Sequence, residues 1–264
     1  MSLSSMMDSE RIDESTFRFT VHDGWQQGRG AWGGLLIGAM VRAAVVAVDD
    51  AARLVRSVTA ELLGPVLVGD ARLKIEKLRQ GAGVSAVRVR LVQANEELCQ
   101  CVVVFGKDRP GTPAWNSLPR PEMPGWAAVD VATMAMPMAP SFSQHFQFRV
   151  TGPLPFCAGP EPVTQGFIQA QEPSAVVDAA VVAAYADCYW PAAFATFDAP
   201  RPAATITFAL EICCNLDDVS GLLPWFHTAT SGSSHGGYAV EHRQLWTTEG
   251  VLVAQNQQLF ALIK

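Results

Sequence analysis

One order of elements occurs twice along these 264 residues: a strand, a long apolar helix, then four strands. In the first pass, residues 17–23 alternate apolar and polar as a short strand does, and a turn-rich stretch from Gly24 to Gly30 follows. From Gly33 to Val48 the chain is almost unbroken in apolar and small residues, with Arg42 its only charge. A run of that length is a helix, and a helix apolar nearly all round is a buried one. Gly34 and Gly38 lie four apart on one face; glycine inside a helix costs about 1 kcal/mol against alanine, so the pair marks close backbone approach. Strands are expected at 53–63, 71–79, 85–94 and 98–107, separated by Gly64-Pro65, Gly81-Ala82-Gly83 and Asn95-Glu96-Glu97. The third alternates strictly, with Arg88 and Arg90 on one face and Val87, Val89 and Leu91 on the other, the pattern of a half-buried antiparallel strand.

The second pass repeats the order. Residues 142–151 alternate as a strand, and a loop carrying Pro153, Pro155, Pro160, Pro162 and Gly166 follows. Ser174 is placed to cap a second apolar helix over 175–194, which Pro191 kinks or ends. Strands are expected at 203–213, 223–230, 238–247 and 251–263, with Glu249-Gly250 as the last hairpin turn. Between the passes, 108–140 holds Pro110, Pro113, Pro119, Pro121, Pro124, Pro137 and Pro140, which excludes regular helix and central strand and predicts an ordered linker. The expectation is an α+β fold in two halves, 1–107 and 141–264, joined by 108–140, each half a curved antiparallel sheet around one buried helix.

Several function classes are excluded at this stage. The net charge is −6 and no sizeable Lys/Arg cluster occurs, so nucleic acid is not an expected partner. The longest apolar run, near 175–185, is too short to span a bilayer and is broken by Asp178, so no membrane partner is expected. The first thirteen residues are polar and acidic, unlike a secretory leader, which predicts a cytoplasmic protein. Cys99, Cys101, Cys157, Cys188, Cys213 and Cys214 lack ligand or disulfide spacing and read as small buried hydrophobes; no metal or other cofactor is expected. There is no Gly-x-Ser-x-Gly elbow, and the stretch from Ser231 to Gly237 reads as a hairpin turn. His22 and His145, on the first strand of each half, read as structural or partly exposed.

Three short motifs carry a resemblance. The first runs from Gly28 to Gly38 (Gly-Arg-Gly-Ala-Trp-Gly-Gly-Leu-Leu-Ile-Gly), a loop entering a helix through a Gly-Gly pair. The second runs from Ala183 to Pro191, with Asp187 four residues before the proline. The third runs from Trp246 through Glu249-Gly250-Val251-Leu252-Val253-Ala254 to Gln258. In this combination the chain resembles the acyl-CoA thioesterase II (TesB-like) family, whose members are double-hotdog proteins. The resemblance implies hydrolysis of an acyl-CoA to free acid and CoA by a water that an aspartate, a glutamine and a Ser/Thr hold. Carried over, the aspartate is Asp187 and the glutamine Gln258. The hydroxyl residue falls at or near Ala209, which has none, so Thr207, two residues earlier on the same strand face, stands in for it. Glu211 and Ile212 also depart from the family's Asp-His.

The chemistry asked of these residues is reasonable. A carboxylate in apolar surroundings has a raised pKa and serves as general base toward water. The helix start at Gly33 and Gly34 offers backbone N–H donors for an oxyanion, Trp32 belongs to the same substrate-binding set, and Arg29 is a candidate contact for a CoA phosphate. An apolar tunnel between helices and sheets is expected to take the acyl chain. Two alternatives stay open: a hydratase on the same fold, which wants a helix-region histidine that is missing here, and a non-catalytic acyl-CoA or lipid binder, which Ala209 suggests. Open sheet edges predict a homodimer or larger homo-oligomer.

Overall fold

The computed structural model describes residues 2–132 and 139–263. The stretch 133–138 of the expected linker, Pro137 included, lies outside the described residues. The chain begins with α1 (Leu3–Met6), β1 (Glu10–Arg11), β2 (Thr16–Val21), the small hairpin β3 (Gln26–Gln27) and β4 (Gly30–Ala31), and α2 (Gly33–Val48). There follow β5 (Leu54–Leu62), β6 (Gly69–Gln80), β7 (Val84–Gln93) and β8 (Glu96–Gly106). The C-terminal part holds β9 (Phe146–Val150), β10 (Val163–Ala170), α3 (Ala179–Ala186), β11 (Ala203–Ile212), β12 (Trp225–His235), β13 (Tyr238–Trp246) and β14 (Leu252–Leu262).

Twelve strands form one antiparallel sheet in the order β1-β2-β6-β7-β8-β5-β11-β14-β13-β12-β10-β9. Read outward from its middle, the first part runs β5-β8-β7-β6-β2 and the second β11-β14-β13-β12-β10, which is the same order. The two meet edge to edge: β5 pairs with β11 through Ala60↔Phe208, Thr59↔Ala209 and Val58↔Leu210. Alternation along the strands decides which face is buried. Val87, Val89, Leu91, Cys99, Cys101, Val103 and Phe105 turn in against α2, while Arg88 stays out and pairs with Glu76 on the neighbouring strand.

α2 and α3 pack against each other inside the sheet's curve. Gly38 permits this, because a Cβ there would stand 3.2 Å from the Ala180 carbonyl and collide with Met7 Sδ. Arg42 ties the helices from outside, its Nε 2.9 Å from Asp178 Oδ2. A smaller apolar cluster lies on the outer face of the second half, where Leu118, Met123, Trp126 and Val129 of the proline-rich segment cover Phe167, Phe226, Trp246 and Leu252. The Arg149 guanidinium closes that strap, 5.5 Å from the Trp126 ring.

Several expectations from sequence are corrected. The second helix is α3, much shorter than 175–194. The Ser174 hydroxyl accepts from Val176 N–H two residues on and so closes a turn, whereas Asp178 is the cap, accepting from Val181 N–H at 2.9 Å. Pro191 forces the preceding residue out of helical geometry, and the chain resumes as a short 3₁₀ turn over Ala192–Thr196. The strand expected at 142–151 opens with a 3₁₀ turn (Ser141–His145) and is a strand only from Phe146. A further strand, β10, lies in the segment expected to be loop. His22 is exposed just past β2, and His145 ends a 3₁₀ turn. β12 runs to His235, so the turn is confined to Gly236 and Gly237, both at positive φ. Cys157 and Cys213 are exposed and Cys214 is half-buried, unlike Cys99, Cys101 and Cys188.

Candidate active site

α3 ends at Ala186, and Asp187 is its C-cap, with its N–H donating to the Ala184 carbonyl. The side chain does not leave for solvent: Asp187 is 6% exposed. It reaches across to the first turn of α2 in the other half. A Cβ placed on Gly33 would stand 2.9 Å from Asp187 Oδ2, so the carboxylate occupies the space that the glycine leaves. α2 has no side-chain cap of its own, because its N-cap is Trp32. The Leu35 N–H already donates to the Trp32 carbonyl, whereas those of Gly33 and Gly34 precede any internal acceptor, and the Gly34 N–H donates to the Asp187 carboxylate. The Trp32 indole N–H adds a bond to the Asp187 main-chain oxygen at 3.2 Å. Trp32 is fully buried, stacked on Phe142 with ring centroids 4.4 Å apart. That packing makes it a clamp between the two helix ends.

Gln258 comes to the same place from β14. It is 1% exposed, and its Nε2 donates to Asn256 Oδ1 at 2.9 Å and to the Ala186 carbonyl at 3.5 Å. Asn256 is itself fixed by donating to the Ala209 carbonyl at 2.7 Å. Gln258 Oε1 accepts from the hydroxyl of Thr205 at 3.2 Å. Thr207, the residue expected from sequence, is exposed and is not brought to the site. The cause is a register shift between Thr205 and Thr207 in the β11–β14 ladder: beyond it, Thr205 lies on the same inner face as Phe208 and Leu210, and Thr207 faces out. Ala209 pairs with Gln257, not Gln258, so its missing hydroxyl removes nothing from this cluster. Arg29 is exposed in the tight turn between β3 and β4.

Two groups not expected from sequence complete the electrostatics. Arg243 and Glu241 of β13 are both 1% exposed and pair through Nε and Oε1 at 2.7 Å. Arg243 Nη1 donates to the Ala186 carbonyl at 2.9 Å, and Glu241 Oε2 accepts from Ala192 N–H at 2.6 Å. The pair thus holds both ends of the link that carries Asp187. The signal was present in the alternation, since Ala239, Glu241, Arg243 and Leu245 share the inner face. Burial pushes the Asp187 carboxyl up to about 6; the Arg243 charge and hydrogen bonds from Gln258, Gly34 N–H and Trp32 hold it from going higher. Burial also raises Glu241 against the pull of Arg243. Among the described residues, no His, Cys, Asp and Glu group is arranged to hold a metal ion. A groove of about 490 Å³ bordered by Asp8, Glu10, Arg18 and His22 includes none of the site residues.

This arrangement offers a general base of suitable pKa, an amide and a hydroxyl beside it, and a helix start directed at the same point, which suits activation of a water. The N-terminal domain model of the acyl-CoA thioesterases matches residues 21–106, and the C-terminal domain model matches residues 116–262. No curated protein matches the chain. Solved structures do: a conserved protein of unknown function with the hot dog fold from Alicyclobacillus acidocaldarius is 18% identical with a TM-score of 0.89, over 99% of this chain and 98% of that one. The acyl-CoA thioesterase II TesB2 of Mycobacterium marinum is 18% identical with a TM-score of 0.79, again over 99% and 98% of the two chains. The tesB protein of Mycobacterium avium subs paratuberculosis gives the same figures. At these identities the likeness is one of fold.

Proposed function

The chain belongs to the acyl-CoA thioesterase family and is a hydrolase of acyl-CoA thioesters, and from that premise we propose that Asp187, Gln258 and Thr205 hold the attacking water. Asp187 takes the water's proton as it attacks the thioester carbonyl. Its burial favours this, because a carboxylate raised toward the working pH is the stronger base. Gln258 orients the water through its amide, and Thr205 fixes that amide by donating to Oε1. The tetrahedral oxyanion is met by backbone N–H at the start of α2. Gly34 N–H serves the carboxylate, which leaves the Gly33 N–H, a first-turn donor without an internal acceptor, for the oxyanion. As the carbonyl re-forms the C–S bond breaks, and the CoA sulfur takes the proton held by Asp187 and leaves as the thiol.

The observation that carries this reading is the Asp187 carboxyl lying against Gly33 with Gln258 beside it, three residues from three elements and both halves. Residues 1–107 and 141–264 are then two hotdog halves, fused through 108–140, neither of which holds the site alone. The exposure of Arg29 next to the α2 entry supports a role for it in meeting a CoA phosphate. A homodimer in the cytoplasm is the assembly and location that go with this reading. Among the described residues no helix is long and apolar enough to cross a membrane. The non-catalytic alternative loses its motive, since Thr205 supplies the hydroxyl that Ala209 lacks.

The test is release of free thiol from short, medium, long and aromatic acyl-CoAs by the wild type and by Asp187→Asn. Turnover that falls by about a hundredfold or more in the variant supports the assignment. Equal turnover by both proteins would remove Asp187 from the mechanism.

A further inference from the structure

The two halves share a strand order but not an interior. In the first, the inner face of β2, β6 and β7 buries Phe17, Phe19, Ala71, Leu73, Val87 and Val89, and its one polar member, Ser85 at the start of β7, accepts a hydrogen bond from Arg53. In the second, the corresponding strands β10, β12 and β13 bury Thr164, His227 and Arg243. The fold therefore does not require polar groups there. Tyr189, two residues after Asp187, packs on this face, its ring stacked on the His227 ring at 4.6 Å and 4° and its hydroxyl over Gly166.

These four residues are at most 2% exposed, yet each has at least one polar atom without a hydrogen-bond partner among the described residues: Thr164 Oγ1, Tyr189 Oη, both nitrogens of His227, and Arg243 Nη2. A buried polar group without a partner costs free energy, and several in one place call for a common occupant. Sheet register shows that they share a place. Thr164, Ala229 and Arg243 are successive cross-strand partners, and Gly166 and His227 are partners in the next row of the same face. Ala229 at the centre is small, and Thr164 and Arg243 stand on either side of it, with strand positions roughly 10 Å apart. Arg243 is held rigidly, with Nε on Glu241, Nη1 on the Ala186 carbonyl and its guanidinium 5.2 Å from the Phe260 ring, so that Nη2 is the donor left to point elsewhere.

We propose that this cluster is the acyl subsite of the thioesterase and selects acyl groups bearing a neutral oxygen, a keto or hydroxyl function, over plain alkyl chains. The inference rests on the thioesterase reading and adds the substrate class. Thr164, Tyr189 and Arg243 can all donate, so the occupant accepts hydrogen bonds. Charge decides between a neutral oxygen and a carboxylate. Arg243, the only Arg or Lys among the described buried residues, is already paired with Glu241 and lies close to Asp187. An acyl carboxylate would be a third anion facing one cation in a dry site, and like charges there are costly. Burial and the Arg243 charge hold His227 in its neutral form, which lets it donate to a keto oxygen or accept from a hydroxyl.

The test uses S-alkyl-CoA thioethers, which cannot be hydrolysed, with chains of one length: plain, carrying a keto oxygen at successive carbons, or ending in a carboxylate. Their dissociation constants are measured by calorimetry on the wild type, Tyr189→Phe and Thr164→Val. The expected result is about tenfold tighter binding of one keto chain than of the plain and carboxylate chains. Each variant removes a single unpartnered oxygen and lowers that preference several-fold without lowering the melting temperature. Equal affinity for plain and keto chains, unchanged in the variants, would overturn the proposal and leave the polar atoms to internal water. Tightest binding of the carboxylate chain would overturn the neutral assignment. Thiol release from the matching acyl-CoA esters is measured alongside: keto preference in binding with no thiol released from any ester supports the subsite while overturning the hydrolase reading.

Discussion

Asp187, at the C-terminal end of the second half's helix, fills the space that Gly33 leaves at the N-terminal start of the first half's helix, with Oδ2 2.9 Å from where a Cβ on Gly33 would be. Two helix ends from different halves thus complete each other. The carboxylate gains an N–H donor and a favourable dipole, and the helix gains the cap that its own sequence lacks.

Gly33→Ala should therefore damage the site more than the fold. The added methyl also meets Leu62 Cδ1 at 3.0 Å, so the carboxylate and the leucine must both shift. A displacement near 1 Å at a reacting group costs about a hundredfold in rate. Steady-state kcat with an unchanged far-UV spectrum checks it; wild-type kcat would show that the carboxylate does not work from this position.

Asp187 sets both pH profiles. The base must be ionised, so kcat/KM should rise with pH through about 6 and level off above it. Stability runs the other way. The folded pKa lies above the ordinary 3.8, so the folded state holds the proton more tightly than the unfolded one between 3.8 and about 6. The stabilising contribution is complete below 3.8 and is lost as pH rises through about 6. The full difference is on the order of 3 kcal/mol. Asp187→Asn should accordingly melt higher than the wild type at pH 7 and lose that advantage at low pH, while it loses activity throughout.

Thr205→Val and Thr207→Val separate the two candidate hydroxyls. Thr205→Val removes the donor to Gln258 Oε1 and frees the amide to turn, for an expected loss of about tenfold in kcat. Thr207→Val alters an exposed side chain and should leave kcat and melting temperature where they are. The opposite ranking would restore the assignment made from the sequence.

That contrast shows what was legible before the structure. The repeated order of elements, α2 and the sheet strands could be read because periodicity is local: two for strands, 3.6 for helices. Asp187 and Gln258 came from motif resemblance, and the structure brings them together. Thr205 could not be found, because face parity along β11 breaks at a register shift that depends on pairing with β14. The length of α3 was misjudged for a related reason. Its apolar flank, Val176 through Trp190, reads as helix by composition, but Asp178 capping and Pro191 decide where the helix runs. The Glu241–Arg243 pair was visible as inner-face parity and was passed over because charges in strands are ordinarily solvated.

The last prediction concerns that pair. Arg243→Met leaves Glu241 buried with its counter-charge removed, and breaking a buried pair from one side costs about 3–5 kcal/mol. Replacing both partners should be far milder, provided that the acceptor for Ala192 N–H survives. Glu241→Gln keeps that acceptor, since the amide oxygen can occupy the place of Oε2, now 2.6 Å from the Ala192 nitrogen. The double variant Glu241→Gln/Arg243→Met should therefore recover most of the stability lost by Arg243→Met alone. Urea unfolding of the wild type, both single variants and the double variant gives the coupling directly. Additive losses would mean that the two side chains act separately, and that the link through Ala186 and Ala192 is held by packing and not by this pair.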